Sequence, residues 1–92
     1  MEYHIEHIAK LHRFECQVSD YVAFAEYVLE NNVINITKTY VPTPIGGQGI
    51  AGQIMQAIFE YAYKHGYNIK GTCTYAAAWL KKQKLSLGIH RQ

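Results

Sequence analysis

Cysteine, proline and long apolar runs are scarce in this chain of 92 residues. Its two cysteines, Cys16 and Cys73, match neither a disulfide framework nor the paired spacing of a zinc site. No apolar run approaches the roughly 20 residues of a membrane-spanning helix, and the first residues lack the charged-then-apolar order of a signal peptide. We therefore expect a globular protein of the cytoplasm, with no membrane partner and no metal.

Charge is also sparse, and it is distributed unevenly. Charged residues make up 17% of the chain and hydrophobic residues 49%, which predicts one globular domain over residues 1–92. The net charge of +2 is too small to predict nucleic-acid binding. No acidic residue follows Glu60, whereas several lysines and Arg91 do, which favours an anionic ligand held by the C-terminal half. For any single lysine, a solvated surface position is the simpler interpretation.

The pattern of the central stretch from Asn35 to His65 predicts a strand, then a glycine-rich loop, then a helix. A β-branched run from Ile36 to Val41 precedes glycines at positions 46, 47, 49 and 52. The following helix has apolar residues at helical spacing, with His65 in its last turn and Gly66 as its C-cap. Glycines let backbone N–H groups turn toward a ligand, and a helix N-terminus adds partial positive charge. The stretch predicts a phosphate site, although a tight turn without a ligand would also need glycines.

Two common phosphate-binding motifs are absent from this loop. No Gly-Lys-Ser or Gly-Lys-Thr follows it, which argues against a P-loop NTPase. Gly47, Gly49 and Gly52 loosely match a dinucleotide fingerprint, but no acidic residue follows at the ribose-binding distance.

The remaining patterns predict a mixed sheet of α/β (α+β) class. Alternation predicts strands at Arg13–Val18 and Tyr21–Leu29, and the turn Glu30-Asn31-Asn32 leads into a hairpin strand from Val33. Tyr67–Cys73 predicts a strand that is parallel to the one ending at Val41, because a helix connects them. Thr74 is the expected N-cap of a short helix from Tyr75 to about Lys84. The result is an antiparallel meander, a strand–helix–strand crossover and a short C-terminal helix.

Both ends of the chain carry weaker signals. Residues 1–11 predict an irregular or helical lead-in, and residues 85–92 give no clear pattern. His4, His7 and His12 lack carboxylate or cysteine partners, so we interpret them as surface histidines.

Three segments make the chain resemble a known family. They are Thr39-Tyr40-Val41-Pro42 with Gly47-Gln48-Gly49-Ile50-Ala51, then Glu60-Tyr61-Ala62, and then Cys73-Thr74-Tyr75-Ala76-Ala77-Ala78-Trp79. Together they resemble the small GCN5-related N-acetyltransferases (GNAT) of the YjdJ type, over roughly Glu15 to Gln83. The resemblance implies that the two parallel strands splay apart and that acetyl-CoA, the implied cosubstrate, lies in the opening.

The same resemblance implies which residues hold the cosubstrate. The pyrophosphate would rest on the amides of the glycine loop, and the pantetheine arm would pair with the free edge of the strand ending at Val41. The implied binding residues are Val41, Gly46, Gly47, Gln48, Gly49, Ile50 and Ala51.

Three side chains are candidates for the chemistry. Cys73 would be either a transient acceptor of the acetyl group or a wall of the acetyl pocket, with an inert buried thiol as the alternative. Tyr75 could protonate the departing thiolate, or it could simply pack the short helix. Lys38, where the family often has histidine, is expected to face the site as a base, or else to be a solvated strand lysine. Cys16 is assigned to the core.

Two functions follow from these residues. The first is transfer of an acetyl group from acetyl-CoA to an amine of a small molecule, a peptide or a protein lysine. The second is a CoA-binding or interaction module that has lost its chemistry, which Lys38 and Gly46 favour because Gly46 stands where the family loop has arginine or glutamine. Eight tyrosines are compatible with a homodimer surface.

Overall fold

The computed structural model describes the backbone of residues 3–88 and the side chains of residues 3–83. Five strands form one sheet in sequence order, β1-β2-β3-β4-β5. The strands are β1 (Glu6–Ile8), β2 (Arg13–Val18), β3 (Tyr21–Glu30), β4 (Val33–Tyr40) and β5 (Asn68–Gly71), and the helices are α1 (Ile50–His65) and α2 (Thr74–Gly88). None of the helices in residues 3–88 is long and apolar enough to cross a membrane.

The sheet has the predicted mixed topology. Strands β1 to β4 are antiparallel neighbours, and β5 pairs with β4 in parallel after the α1 crossover. Asn31 and Asn32 have φ angles of 50° and 63°, which confirms the predicted turn between β3 and β4. The bounds of α1, and Gly66 as its left-handed C-cap, are also confirmed.

The core lies between the sheet and α1. Ile34 and Ile36 of β4 are fully buried, as are Ile54 and Ile58 of α1. Cys16 lies in this core at 1% exposure, as predicted, and burial raises the pKa of its thiol. A charged thiolate is disfavoured in such surroundings, so Cys16 is a packing residue.

A β-bulge in β4 changes which side chains face the helices. Tyr27 pairs with Ile36 but Glu26 pairs with Lys38, so Thr37 is an extra residue in β4. Residues 34 and 36 face α1, and after the bulge the inward position passes to Thr39, which pairs with the buried Ala25. The bulge therefore reverses the alternation in the last part of the strand.

The parallel pairing between β4 and β5 stops short of the end of β4. Its last register pair is Ile36 with Gly71, and the backbone N–H groups of Thr72 and Cys73 both donate to the Ile36 carbonyl, at 3.0 and 3.4 Å. Strand β5 therefore ends at Gly71, not at Cys73 as predicted. Beyond Ile36, β4 continues with β3 alone as its strand partner in the described chain.

The C-terminal helix differs from its prediction in length and in its cap. It runs from Thr74 to Gly88, so the basic residues near position 84 do not end it. The Ala77 N–H donates to the Cys73 carbonyl at 3.0 Å, and this first helical bond makes Cys73 the N-cap in place of Thr74. Residues 89–92 lie outside the described part of the chain.

The N-terminal lead-in is also different from the prediction. Residues 6–8 form the edge strand β1, followed by a 3-10 turn at Ala9–Leu11. His7 is not a surface histidine, because its ring stacks on Phe14 with centroids 4.0 Å apart and its Nε2 lies 2.7 Å from the Tyr27 hydroxyl. Contacts made far along the chain thus give this segment a structure that its own pattern did not predict.

Candidate active site

An open pocket of about 400 Å³ lies where β4 ends and α1 begins. It is lined by one polar residue of β4, the glycine-rich loop, the first turn of α1 and one tyrosine of α2. The lining residues are Thr39, Val41, Gly46, Gly47, Gly49, Ile50, Ala51, Gly52 and Tyr75.

The loop's backbone conformation depends on two of its glycines. Gly47 and Gly49 have φ angles of 75° and 80°, in the left-handed region that other residues adopt at a cost. The turn before them is closed by the Gly46 N–H, which donates to the Thr43 carbonyl at 3.0 Å. The loop can therefore turn its peptide groups toward the pocket without steric conflict from side chains.

Among the described residues, no side chain caps the start of helix α1. Its first helical bond runs from the Gln53 N–H to the carbonyl of Gly49, the N-cap residue, at 3.1 Å. The N–H groups of Ile50, Ala51 and Gly52 precede that bond, so they have no partner within the helix. No acidic side chain lies in the first turn to neutralise the helix dipole. This end of the pocket is suited to an anion.

The other wall of the pocket is the part of β4 that β5 leaves uncovered. Thr39 and Val41 line the pocket from this part of the chain. A strand edge without a neighbour can pair with an extended, amide-bearing ligand. The pocket thus combines an anion-binding end with a hydrogen-bonding edge.

Cys73 lies just behind this wall. Its Sγ is 3.4 Å from the Thr39 hydroxyl and accepts a hydrogen bond from the Ala76 N–H, also at 3.4 Å. The thiol is half-buried and contacts the side chain of Thr39, which itself lines the pocket. The Cys73 sulfur therefore contacts both the Ala76 N–H of α2 and the Thr39 hydroxyl of β4.

Tyr75 brings a phenol to the start of α1. A Cβ placed on Gly52 would lie 3.8 Å from the Tyr75 hydroxyl, which is ordinary van der Waals contact and shows how close the phenol lies to the first turn of α1. Burial raises the pKa of Tyr75, which keeps the phenol protonated at neutral pH. Tyr75 can therefore act at the pocket as a proton donor and not as a base.

The profile of the GCN5-related N-acetyl-transferase family matches residues 13–86. The chain belongs to this family. Its fold is similar to the NMR solution structure of a GCN5-like candidate N-acetyltransferase from Staphylococcus aureus, with a TM-score of 0.71 and 26% sequence identity. That match covers 90% of this chain and 82% of the other.

Most of the predicted site residues of this GNAT-family chain lie together. Of the seven predicted cosubstrate-binding residues, all but Gln48 line the pocket, and so does Tyr75. Gln48 instead has its Oε1 as the acceptor of a 2.9 Å hydrogen bond from the Tyr3 hydroxyl.

Lys38 is not where the sequence predicted it. Its ammonium lies 5.6 Å from the centroid of the Phe24 ring, and its register partner is Glu26, on the sheet face opposite Thr39. Simple alternation from Ile34 and Ile36 would have turned Lys38 inward, but the extra residue at Thr37 turns Thr39 inward instead. The prediction that Lys38 faces the site is therefore wrong.

Thr39 and Gly52 line the pocket although neither was among the predicted site residues. The sequence does carry a signal for Gly52, since it is the last glycine of the loop stretch and falls within the first turn of the predicted helix. It carries no signal for Thr39, because the bulge that orients this residue comes from pairing between strands. Among the described residues, no three histidine, cysteine, aspartate or glutamate side chains gather in a group that could hold a metal ion.

Proposed function

We propose that this chain binds acetyl-CoA in the pocket at the start of α1 and transfers its acetyl group to an amine. The observation that carries this proposal is the shared pocket: uncapped first-turn amides, two left-handed glycines and an uncovered strand edge all line it. Membership of the GNAT family supports the same reaction class.

Binding would be carried mainly by the backbone. The diphosphate of CoA matches the loop and first-turn N–H groups, which offer donors and partial positive charge without a charged side chain. The pantetheine amides match the edge of β4 at Thr39 and the backbone of Val41, just beyond the end of the strand. Gly46 contributes no side chain to this site, so the affinity depends on how well the backbone is held in place.

The chemistry needs an oriented thioester and a path for one proton. The amine nitrogen forms a bond to the acetyl carbon, the carbon–sulfur bond breaks, and the CoA thiolate leaves with the electron pair. Tyr75 is the proposed donor of the proton that this thiolate takes up, since its phenol is protonated and lies at the pocket. The nitrogen loses one proton to solvent as the amide forms, and solvent returns one proton to the Tyr75 phenolate. Cys73 is the proposed back wall of the acetyl pocket or, in a two-step route, the acceptor: its thiol would take the acetyl group as a thioester while CoA leaves as a thiol, and the amine would then displace the Cys73 thiol as the amide forms.

A second candidate function is CoA binding without acetyl transfer. The observation that favours it is the pocket lining, in which no described residue is a histidine, carboxylate or lysine that could remove the proton of the amine. An amine that reaches the site already neutral would need no base before the attack, and solvent could take the proton that the nitrogen loses afterwards. Binding and turnover must therefore be measured separately.

Calorimetric titration with CoA tests the binding site. Ala51→Glu should abolish the heat of binding, because it places a carboxylate among the first-turn amides where the diphosphate would lie. The same change should not lower stability, since an acidic side chain suits a helix N-terminus. Ala51→Gln, of matching size and no charge, should keep measurable binding. Equal binding by both variants would reject the site.

Acetyl transfer is then measured with acetyl-CoA and a panel of amines. Release of free CoA thiol that depends on an amine supports the enzyme. Tight CoA binding with no amine-dependent release supports the binding module.

A further inference from the structure

The segment before β2 contacts the glycine-rich loop and the start of α1. We define Tyr3 to Ile8 as the N-terminal strap. At one end, the Tyr3 hydroxyl donates to Gln48 Oε1 at 2.9 Å, and the Tyr3 backbone N–H donates to Gln53 Oε1 at 3.0 Å. Both partners belong to the stretch that begins α1. The family profile begins only at residue 13, so the strap lies outside the part of the chain that it matches.

The other end of the strap is held firmly in the fold. His7 stacks on Phe14 and makes an edge contact with Tyr61 of α1, with centroids 4.5 Å apart. Its Nε2 is hydrogen-bonded to the Tyr27 hydroxyl at 2.7 Å. Tyr3 and Ile5 also pack against the buried core. The strap therefore offers Tyr3 as a fixed point beside the loop.

The loop needs such a fixed point because of its composition. Gln48 is flanked by Gly47 and Gly49, both in the left-handed region. Glycine has the largest conformational freedom to lose, so a loop of this kind samples many arrangements unless something restrains it. Gln48 carries the only long polar side chain between Gly46 and Gly52 in the sequence. In the described structure this side chain accepts the hydrogen bond from the Tyr3 hydroxyl.

We propose that Tyr3 is a positioning residue of the diphosphate site, acting through Gln48 to hold the glycine loop in its binding conformation. The role of Gln48 is then to receive this restraint and not to contact the ligand. The proposal rests on the proposed function for the identity of the ligand. The restraint itself is a property of the chain without ligand.

Backbone ¹⁵N relaxation of the ligand-free chain tests the restraint. Tyr3→Phe removes only the hydroxyl, so the order parameters of the Gly47, Gln48 and Gly49 amides should fall, whereas those in β2 and β3 should stay unchanged. Tyr63→Phe is the matched control, since Tyr63 is 83% exposed on α1 and should change neither. Unchanged loop order parameters in Tyr3→Phe would overturn the proposal, and so would a uniform fall across the sheet, which indicates a merely structural role.

CoA titration tests the consequence for binding. Tyr3→Phe should raise the dissociation constant about two- to tenfold, the range expected for one hydrogen bond. In a Gln48→Ala background the same change should have no further effect, because the partner is already gone. An equal effect in both backgrounds would contradict the proposal. If the wild-type chain binds no CoA, the proposed function fails, whereas the relaxation experiment still decides the role of Tyr3.

Discussion

At the scale of single residues, the site depends on a few atoms that face the pocket. Tyr75 presents a protonated phenol, and Thr39 presents the hydroxyl that meets Cys73 Sγ at 3.4 Å. Neither side chain carries a charge at neutral pH. We therefore expect the proposed site to stabilise charge with hydrogen-bond donors, which would suit the departure of a thiolate and would not suit removal of a proton from an ammonium group.

Tyr75→Phe tests the proposed proton donor. We expect kcat for amine acetylation to fall about 10²-fold, the lower end of the range for general-acid catalysis, with little change in the KM for acetyl-CoA. Steady-state kinetics with the amine in excess measures both constants. Tyr21→Phe is the control, since Tyr21 is an exposed residue outside the pocket lining. A kcat for Tyr75→Phe equal to that of wild type would remove Tyr75 from the mechanism.

At the scale of elements, α2 packs against β5 through a close contact that only a glycine at position 71 allows. A Cβ on Gly71 would lie 2.6 Å from the Ala76 Cβ and 3.0 Å from the Ala76 carbonyl carbon. Ala76 is fully buried. This close approach fixes where α2 starts, and so it places both Cys73 and Tyr75 relative to the pocket.

Gly71→Ala should therefore destabilise the fold. The added methyl forces α2 away from β5, and overpacking of this kind costs about 1–3 kcal/mol. Urea unfolding measures the loss. Gly52→Ala is the control for stability, because its Cβ would meet only the Tyr75 hydroxyl, at 3.8 Å, and alanine is favoured over glycine in a helix. A Gly71→Ala chain as stable as wild type would contradict the packing described for α2.

At the scale of the whole molecule, α1 joins two different environments. Its first turn lines the pocket, and its last turns contribute Tyr61 and His65 to a cluster with His7 and Tyr67. Burial, and then the charges of His65 and His12, lower the pKa of His7. We therefore expect the stability of this cluster to depend on pH through His7.

Stability should fall as the pH drops below about 6.5, the ordinary value for histidine. Below that pH His7 is protonated in the unfolded chain but still neutral in the folded chain, because folding lowers its pKa. The free energy of unfolding therefore falls with pH until the pH drops below the pKa of His7 in the folded chain. The slope should stay under about 1.4 kcal/mol per pH unit, the value for one whole proton, because solvent screens the partly exposed ring. Urea unfolding at several pH values measures this slope.

His7→Phe supplies the comparison for this measurement. Phenylalanine keeps an aromatic ring beside Phe14 but cannot titrate, so the slope between pH 8 and pH 5 should be smaller than in wild type. The same slope in both chains would show that His7 is not the group responsible.

The sequence predicted those parts of the fold that depend on local patterns. The bounds of α1, the Asn31-Asn32 turn and the position of the glycine loop follow from periodicity and from residues that tolerate positive φ. The orientation of Lys38 and Thr39 could not be predicted in this way, because it depends on a bulge set by pairing with β3. Strand β1 was missed for a similar reason, since partners distant in sequence hold His7 in place.

The central claim is that backbone amides of the glycine loop hold a diphosphate. The most direct measurement is a series of ¹H–¹⁵N spectra recorded as CoA is added, with pantetheine, which lacks the diphosphate, added in a parallel series. The account predicts that CoA shifts the amides of Gly47 to Gly52 together with those of Thr39 and Val41, whereas pantetheine shifts only the latter two. Loop amides that stay unmoved by CoA, or that move equally with pantetheine, would contradict it.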